Sequence, residues 1–316
     1  MSKQVLVCSR FSKKLLARIG ERFDLLDTYG APPREAFIAA QLASIRALIT
    51  AGGQPLGADV MDALPALGAI VCYGTGYDGV DLAAARARNV AVGNSPAANA
   101  AAVADLAMAL LLATERRLLP ADQYVRGGGW ATAAASPLMS APRGLTGARV
   151  GIYGMGEIGR KIAARAAAFE MEVHYHSRSR HDVPYPHHAD LGDLVAWCDI
   201  LVIAVRAGAE THHVIDAAML RKLGAGGTLI NIARGSVVDQ VALTAALTDK
   251  TIAAAGLDVF DAEPHQPDAL SALPNVVLTP HIGGHTASSH LRMQDCVIAN
   301  LAAFFARQPL AYPVAP

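Results

Sequence analysis

The chain has 316 residues, 53% of them apolar and only 17% charged, enough material for two domains with substantial cores. Its 27 basic and 27 acidic side chains cancel, so no broad basic field exists to recruit nucleic acid. The most apolar stretch, Ala100 to Ala113, contains Asp105 and ends at Glu115-Arg116-Arg117, which is too short and too interrupted for a bilayer span.

Met1 to Cys8 leads directly into a strand-like run, Val5-Leu6-Val7, without the charged start and longer apolar stretch of a secretory signal. Short apolar runs then alternate with helical patterns. Strands are expected at Val5–Cys8, Phe23–Leu26, Ala47–Ala51, Ala69–Tyr73 and Val90–Val92, with helices near Lys13–Gly20, Arg34–Leu42, Asp59–Leu64 and Leu82–Arg88. That βαβ rhythm implies a parallel sheet covered on both faces.

Ala97 to Ala113 reads as a long alanine-rich helix, either an interdomain or subunit contact or a plain core helix. From Gly127-Gly128-Gly129-Trp130 to Gly144 regular pattern is poor, and an extended arm is expected, with Trp130 as a candidate interface anchor. The rhythm restarts at Arg149. Strands are expected at Arg149–Tyr153, Glu172–His176, Ile200–Val205, Thr228–Ile232, Ala254–Val259 and Val276–Thr279, followed by a helix over Ser288–Ala306. Six strands with intervening helices match a doubly wound nucleotide-binding sheet.

Cys8, Cys72, Cys198 and Cys296 are far apart and form no C-x-x-C, so they read as small apolar fillers in a reducing compartment; a cytoplasmic protein is expected.

The first chemical motif is Gly154-Met155-Gly156-Glu157-Ile158-Gly159, placed after an apolar strand and before the helical stretch Lys161–Phe169. In a dinucleotide-binding turn the first glycine permits the tight bend, the second lets backbone N–H groups approach the pyrophosphate, and the third lets helix and strand pack. About twenty residues on, where an acid would bind a ribose 2′-hydroxyl, the chain has His176-Ser177-Arg178-Ser179-Arg180. Serines and arginines there suit a 2′-phosphate, so NADP(H) is expected as the preferred cofactor, with NAD(H) possible.

Three polar residues follow strand ends: Arg234 in Asn231-Ile232-Ala233-Arg234-Gly235, Glu263 in Asp258-Val259-Phe260-Asp261-Ala262-Glu263-Pro264, and His281 in Thr279-Pro280-His281-Ile282-Gly283. In open α/β sheets ligands bind beyond the strand C-termini, so the three are expected to meet there. Their chemistry fits carbonyl reduction. A protonated His281 donates to the developing oxyanion, Glu263 favours and orients the imidazolium, and Arg234 offers a planar fork to a carboxylate. His187-His188 and His212-His213 lack metal-ligand spacing and read as surface or loop residues, so no metal site is expected. On the strand before the basic turn, His176 is placed to reach the adenosine end of the dinucleotide.

At these motifs the chain resembles the D-isomer-specific 2-hydroxyacid dehydrogenases over nearly its whole length and in the family's order. Within that family, Ser-Arg-Ser after the second nucleotide-domain strand is similar to the NADPH-preferring glyoxylate and hydroxypyruvate reductases. The resemblance implies an α/β protein of two doubly wound parallel-sheet domains: a Rossmann domain, residues 98–285, inserted in a flavodoxin-like substrate domain, residues 1–97 and 286–316. It implies Arg234, Glu263 and His281 as the catalytic residues. Gly74, Thr75 and Gly76 would hold the substrate carboxylate by backbone amides, beside Arg234 and His281. Asp258 would contact the nicotinamide carboxamide, with Val205, Ala233 and Gly283 also lining the cofactor site. A homodimer joined through the nucleotide domain is implied too. One departure is Val205-Arg206-Ala207, where a Pro-Leu-Thr type of segment is more usual. The expected reaction is NADPH-dependent reduction of a small 2-keto acid, such as glyoxylate or hydroxypyruvate, to the D-2-hydroxy acid. The competing reading is a non-catalytic dinucleotide-sensing protein of the same fold.

Overall fold

Runs of four small or branched apolar residues become parallel strands buried on both faces: every residue of Ala47–Thr50, Ala69–Cys72, Ile200–Ile203 and Thr228–Asn231 is buried. The structure, a computed structural model, describes residues 4–27, 42–132 and 141–314. The chain divides into two units, Met1–Asn99 with Gly284–Pro316, and Ala100–Gly283.

The first unit holds β1 (Gln4–Val7), β2 (Asp24–Asp27), β3 (Ala47–Thr50), β4 (Ala69–Cys72) and β5 (Ala91–Gly93) in the order β2-β1-β3-β4-β5. All neighbours are parallel, which is the flavodoxin-type order. Helix α1 (Lys13–Gly20) starts at Ser12, whose hydroxyl accepts from the Leu15 amide, and it buries Leu15 and Ile19. Helices α2 (Ala58–Asp62) and α3 (Leu82–Ala87) follow. The helix expected over 34–42 lies, but for its last residue, outside the described residues. The C-terminal segment returns to this unit: Val297 and Leu301 join a core with Val5, Ile49 and Val71, and the Val314 amide donates to the Val92 carbonyl at 2.8 Å.

The second unit begins with α4 (Ala100–Glu115), whose buried face packs on α6 (Glu157–Ala168) in one core with Val150, Ile152 and Val202. Its alanines admit that neighbour closely, so α4 is a core helix of its own unit. Between these helices lies α5 (Leu118–Arg126), a stretch to which the sequence reading assigns no element. No residue of α5 is fully buried, and Pro120, Ala121 and Tyr124 are only half-buried. The expected arm begins as a turn through Thr132, and residues 133–140 lie outside the described ones.

All six expected strands form: β6 (Arg149–Tyr153), β7 (Glu172–His176), β9 (Ile200–Ile203), β10 (Thr228–Asn231), β11 (Ala254–Leu257) and β12 (Val276–Leu278). A seventh, β8 (His187–His188), corrects the reading of that pair as loop or surface residues. Tyr175 pairs with His187 and His176 with His188, both half-buried. Two histidines are too short and too polar a run to announce a strand; pairing with β7 creates it. The order is β12-β11-β10-β9-β6-β7-β8, all parallel, which is the dinucleotide-fold order 3-2-1-4-5-6 with one strand added. Helices α7 (Leu191–Trp197), α8 (Ala217–Leu223) and α9 (Gln240–Thr248) complete this unit, and α10 (Ala287–Phe305) belongs to the first. Among the described residues no helix is long and apolar enough to cross a membrane.

Candidate active site

Arg234, Glu263 and His281 follow three adjacent strands, β10, β11 and β12. Asn231 and Leu278 both pair with Leu257, so the three loops leave the sheet at one level. Asn231 shapes the first. Its side-chain oxygen accepts from the Ala233 amide at 3.0 Å and its amide nitrogen donates to the Arg234 carbonyl at 3.0 Å. The next residue must be glycine, because a Cβ on Gly235 would lie 1.9 Å from the Phe260 carbonyl carbon. This close approach sets the Arg234 loop against the loop that carries Glu263.

The Glu263 carboxylate divides its two oxygens. Oε1 accepts from the Phe260 amide at 3.1 Å and Oε2 meets His281 Nδ1 at 2.6 Å. A carboxylate oxygen has no proton to give when ionised, so Nδ1 carries the hydrogen and Nε2 is left for chemistry. The bond to Glu263 raises the His281 pKa above its ordinary value, against burial and the nearby Arg234 charge. Burial alone would push the Glu263 carboxyl up, but the His281 bond and the Arg234 charge hold it below the usual range.

His281 has φ of +53°, a left-handed conformation that non-glycine residues adopt at a cost of order 1 kcal/mol or more. Asp258 holds it there. The buried Asp258 accepts from Thr279 Oγ1 at 2.7 Å and the Ile282 amide at 2.8 Å on one oxygen, and from the Gly283 amide at 2.8 Å on the other. Its carbonyl takes the His281 amide at 2.9 Å. The carboxylate expected at the nicotinamide is thus already engaged in clamping the His281 loop, a role the sequence reading missed. The missed partners, Asn231 and Thr279, stood inside the motifs but carry no reactive group to mark them.

The glycine turn lies at the switch point between β6 and β9. Gly154 has φ of +104°, and a Cβ there would lie 2.7 Å from Ala204 and Val205 backbone atoms. A Cβ on Gly159 would lie 2.0 Å from the Gly154 carbonyl oxygen. Gly156, by contrast, has nothing within 4 Å of that position, and α6 begins there with no side-chain cap. A tight turn with an open middle glycine and uncapped helix amides fits a pyrophosphate. Ile158 is partly buried and Met155 is buried in the core, so Met155 offers the cofactor only backbone; Glu157 opens the helix. Val205 follows β9, partly buried, and Ala233 is buried beyond β10.

At the end of β7, Ser177 Oγ donates to the Ser179 carbonyl at 2.7 Å, and His187 Nε2 donates to the Ser177 carbonyl at 3.0 Å. The strand β8 that the sequence hid therefore supports this turn. Arg178 is 92% exposed. His176 donates through Nδ1 to the His188 carbonyl. Arg206 stands three residues past Ile203, as Arg234 stands three past Asn231, and those two strand residues are paired. Burial and then the Arg234 charge lower the Arg206 pKa, so the departure noted in sequence puts a second guanidinium near Arg234.

The residues Gly74, Thr75 and Gly76 belong to the first unit and form a turn after β4. Gly74 has φ of +109°, and its carbonyl accepts from the Ser95 amide at 2.8 Å. Thr75 Oγ1 donates toward Asn99 Oδ1 at 2.8 Å, and Asn94 Nδ2 donates to the Thr75 carbonyl at 2.8 Å. Those bonds use the turn's carbonyls and side chain.

Comparison with known proteins gives one consistent set of relatives. A family profile described as D-isomer specific 2-hydroxyacid dehydrogenase, NAD binding domain, matches residues 108–283. A hydroxyphenylpyruvate reductase of Plectranthus scutellarioides is 38% identical over 98% of both chains. A 2-ketogluconate reductase of Gluconobacter oxydans is 43% identical over 86% of both. Among solved structures, an NADPH-dependent glyoxylate/hydroxypyruvate reductase from Sinorhizobium meliloti, in complex with NADP and malonate, superposes with a TM-score of 0.92 at 37% identity, covering 100% of this chain and 97% of that one.

Proposed function

Because this chain belongs to the D-isomer-specific 2-hydroxyacid dehydrogenase family, we propose that it reduces a small 2-keto acid of the glyoxylate or hydroxypyruvate type to the D-2-hydroxy acid, with NADPH as the preferred donor. The observation that carries the reading is the 2.6 Å bond between His281 Nδ1 and Glu263, made beside Arg234 at adjacent strand ends. When bound, the reduced nicotinamide supplies a hydride to the keto carbon. Arg234 pairs its guanidinium with the substrate carboxylate and polarises the neighbouring carbonyl. His281 gives the proton on Nε2 to the oxygen as negative charge develops there, and is left neutral. Glu263 stays ionised throughout and holds the ring. In the oxidative direction His281 takes the hydroxyl proton as a base.

The turn at Gly154, Gly156 and Gly159 would hold the pyrophosphate on the first amides of α6, and Ser177, Arg178 and Ser179 the 2′-phosphate. The resemblance assigns the amides of Gly74–Gly76 to the substrate carboxylate as well. We place the protein in a reducing, cytoplasmic setting, which suits the buried thiols of Cys72 and Cys198, whose pKa values are pushed to about 12. We also expect a homodimer joined through the second unit.

Loss of reduced-nicotinamide absorbance over a panel of 2-keto acids, with each cofactor, tests the activity. Turnover of glyoxylate or hydroxypyruvate with NADPH, largely abolished in Arg234→Ala, is the expected result. An inert protein across the whole panel would end the proposal.

A further inference from the structure

The turn after β9 brings a carboxylate to the place where a 2′-phosphate is expected. Sheet order sets β9 beside β6 and β6 beside β7, so the chain leaving β9 faces the Ser177–Arg178–Ser179 turn across one strand end. Its path is fixed by its own bonds. The Thr211 hydroxyl accepts from the Gly208 amide at 2.9 Å and donates toward the Arg206 carbonyl at 3.2 Å, and the Thr211 amide closes the turn on the Gly208 carbonyl at 3.0 Å. This short 3-10 turn (Ala209–Thr211) presents Glu210, whose Oε2 stands 3.8 Å from Arg178 Nη1. Tyr153, on the strand between them, feels both: burial raises its pKa most, Arg178 lowers it, and Glu210 raises it.

We propose that Glu210 is a specificity-determining residue for the dinucleotide: its carboxylate counter-charges Arg178 and opposes an incoming 2′-phosphate, so the preference for NADPH is weaker than the Ser177–Arg178–Ser179 turn alone would give. The proposal rests on the reading of that turn as the 2′-phosphate site. Two effects of the pair compete. Glu210 orders the Arg178 side chain, which helps phosphate binding, and it repels the phosphate, which hinders it. The first is small, because the two side chains are 92% and 82% exposed and such pairs hold geometry weakly. The second acts on a group carrying nearly two negative charges. Repulsion therefore wins.

The test titrates the purified protein, Glu210→Gln and Arg178→Ala with NADPH, NADH, 2′,5′-ADP and 5′-AMP by calorimetry. The two mononucleotides isolate the 2′-phosphate from the nicotinamide. Glu210→Gln is near-isosteric at an exposed site. It should tighten NADPH and 2′,5′-ADP by about 3- to 10-fold at low salt and leave NADH and 5′-AMP within about 2-fold, with the gain shrinking as salt rises. Arg178→Ala should weaken the two 2′-phosphorylated ligands selectively. If Arg178→Ala is selective and Glu210→Gln is not, the role of Glu210 is overturned while the cofactor reading stands. If neither variant is selective, both are overturned.

Discussion

His281 is held in a strained backbone conformation by Asp258 and in one tautomer by Glu263, so its acid strength is a property of its neighbours. Reduction needs the protonated ring. Its pKa is raised, so kcat/KM for reduction should stay on its plateau past the ordinary histidine value of 6.5 and fall as pH rises through the folded-state value. Glu263→Gln removes the chief raising cause and leaves burial and the Arg234 charge, which both lower it; the alkaline limb should move toward acid. An unmoved limb in the pH profile of this variant would reject His281 as the titrating acid. The same pair has a stability signature. The His281 contribution is full below its ordinary pKa and lost as pH rises through the raised one. That of Glu263 is full above its ordinary pKa and lost as pH falls through the depressed one, so the pair stabilises most between those limits. Arg234→Lys keeps the charge but loses the planar fork, and steady-state kinetics should show kcat/KM reduced about 10²-fold or more.

The loops, more than the strands, distinguish this nucleotide-binding unit, and one buried carboxylate governs the loop of His281. Asp258→Ala would leave the Ile282 and Gly283 amides and the Thr279 hydroxyl without their acceptor, at a cost of about 2–4 kcal/mol. Thermal unfolding should show a lowered Tm, and kcat should fall even at saturating cofactor. Full stability with only weakened nicotinamide binding would instead favour the role that the resemblance assigned to Asp258. At the glycine turn, Gly159→Ala places a methyl 2.0 Å from the Gly154 oxygen, so dinucleotide binding by calorimetry should be lost. These elements were legible because each couples an apolar strand to a distinctive end: glycines after β6, Arg234 after β10, His281 after β12. What was hidden lacked a fully buried apolar run. Strand β8 is two histidines made into a strand by pairing with β7, and no residue of α5 is more than half-buried. The clamp by Asp258 was hidden for another reason: the residue was visible in its motif, but which groups its two oxygens accept from is a property of the folded loop alone.

For the whole molecule, α5 stands out as a helix without a fully buried residue. Leu118, Leu119 and Val125 are 51%, 45% and 52% exposed, and Trp130, just beyond the helix, is 73% exposed. Next to it a groove of about 650 Å³ is lined by Leu119, Pro120, Leu273, Val276 and neighbouring residues of the same unit. Scattered exposed apolar residues are ordinary, but four within thirteen positions, beside a groove, mark a surface built to be covered. The homodimer proposed above would supply the cover from a second copy of this unit, and a two-fold interface would bury the same patch on both copies. Light scattering should therefore give about twice the 32.9 kDa chain mass. Tm should rise with protein concentration, because association stabilises only the folded chain. Val125→Asp combined with Trp130→Asp changes exposed positions and should give a folded monomer by circular dichroism and light scattering, its Tm lower and independent of concentration. A wild-type chain that scatters as a monomer at every concentration, with a Tm that dilution does not move, would show that this apolar face serves something other than its own copy.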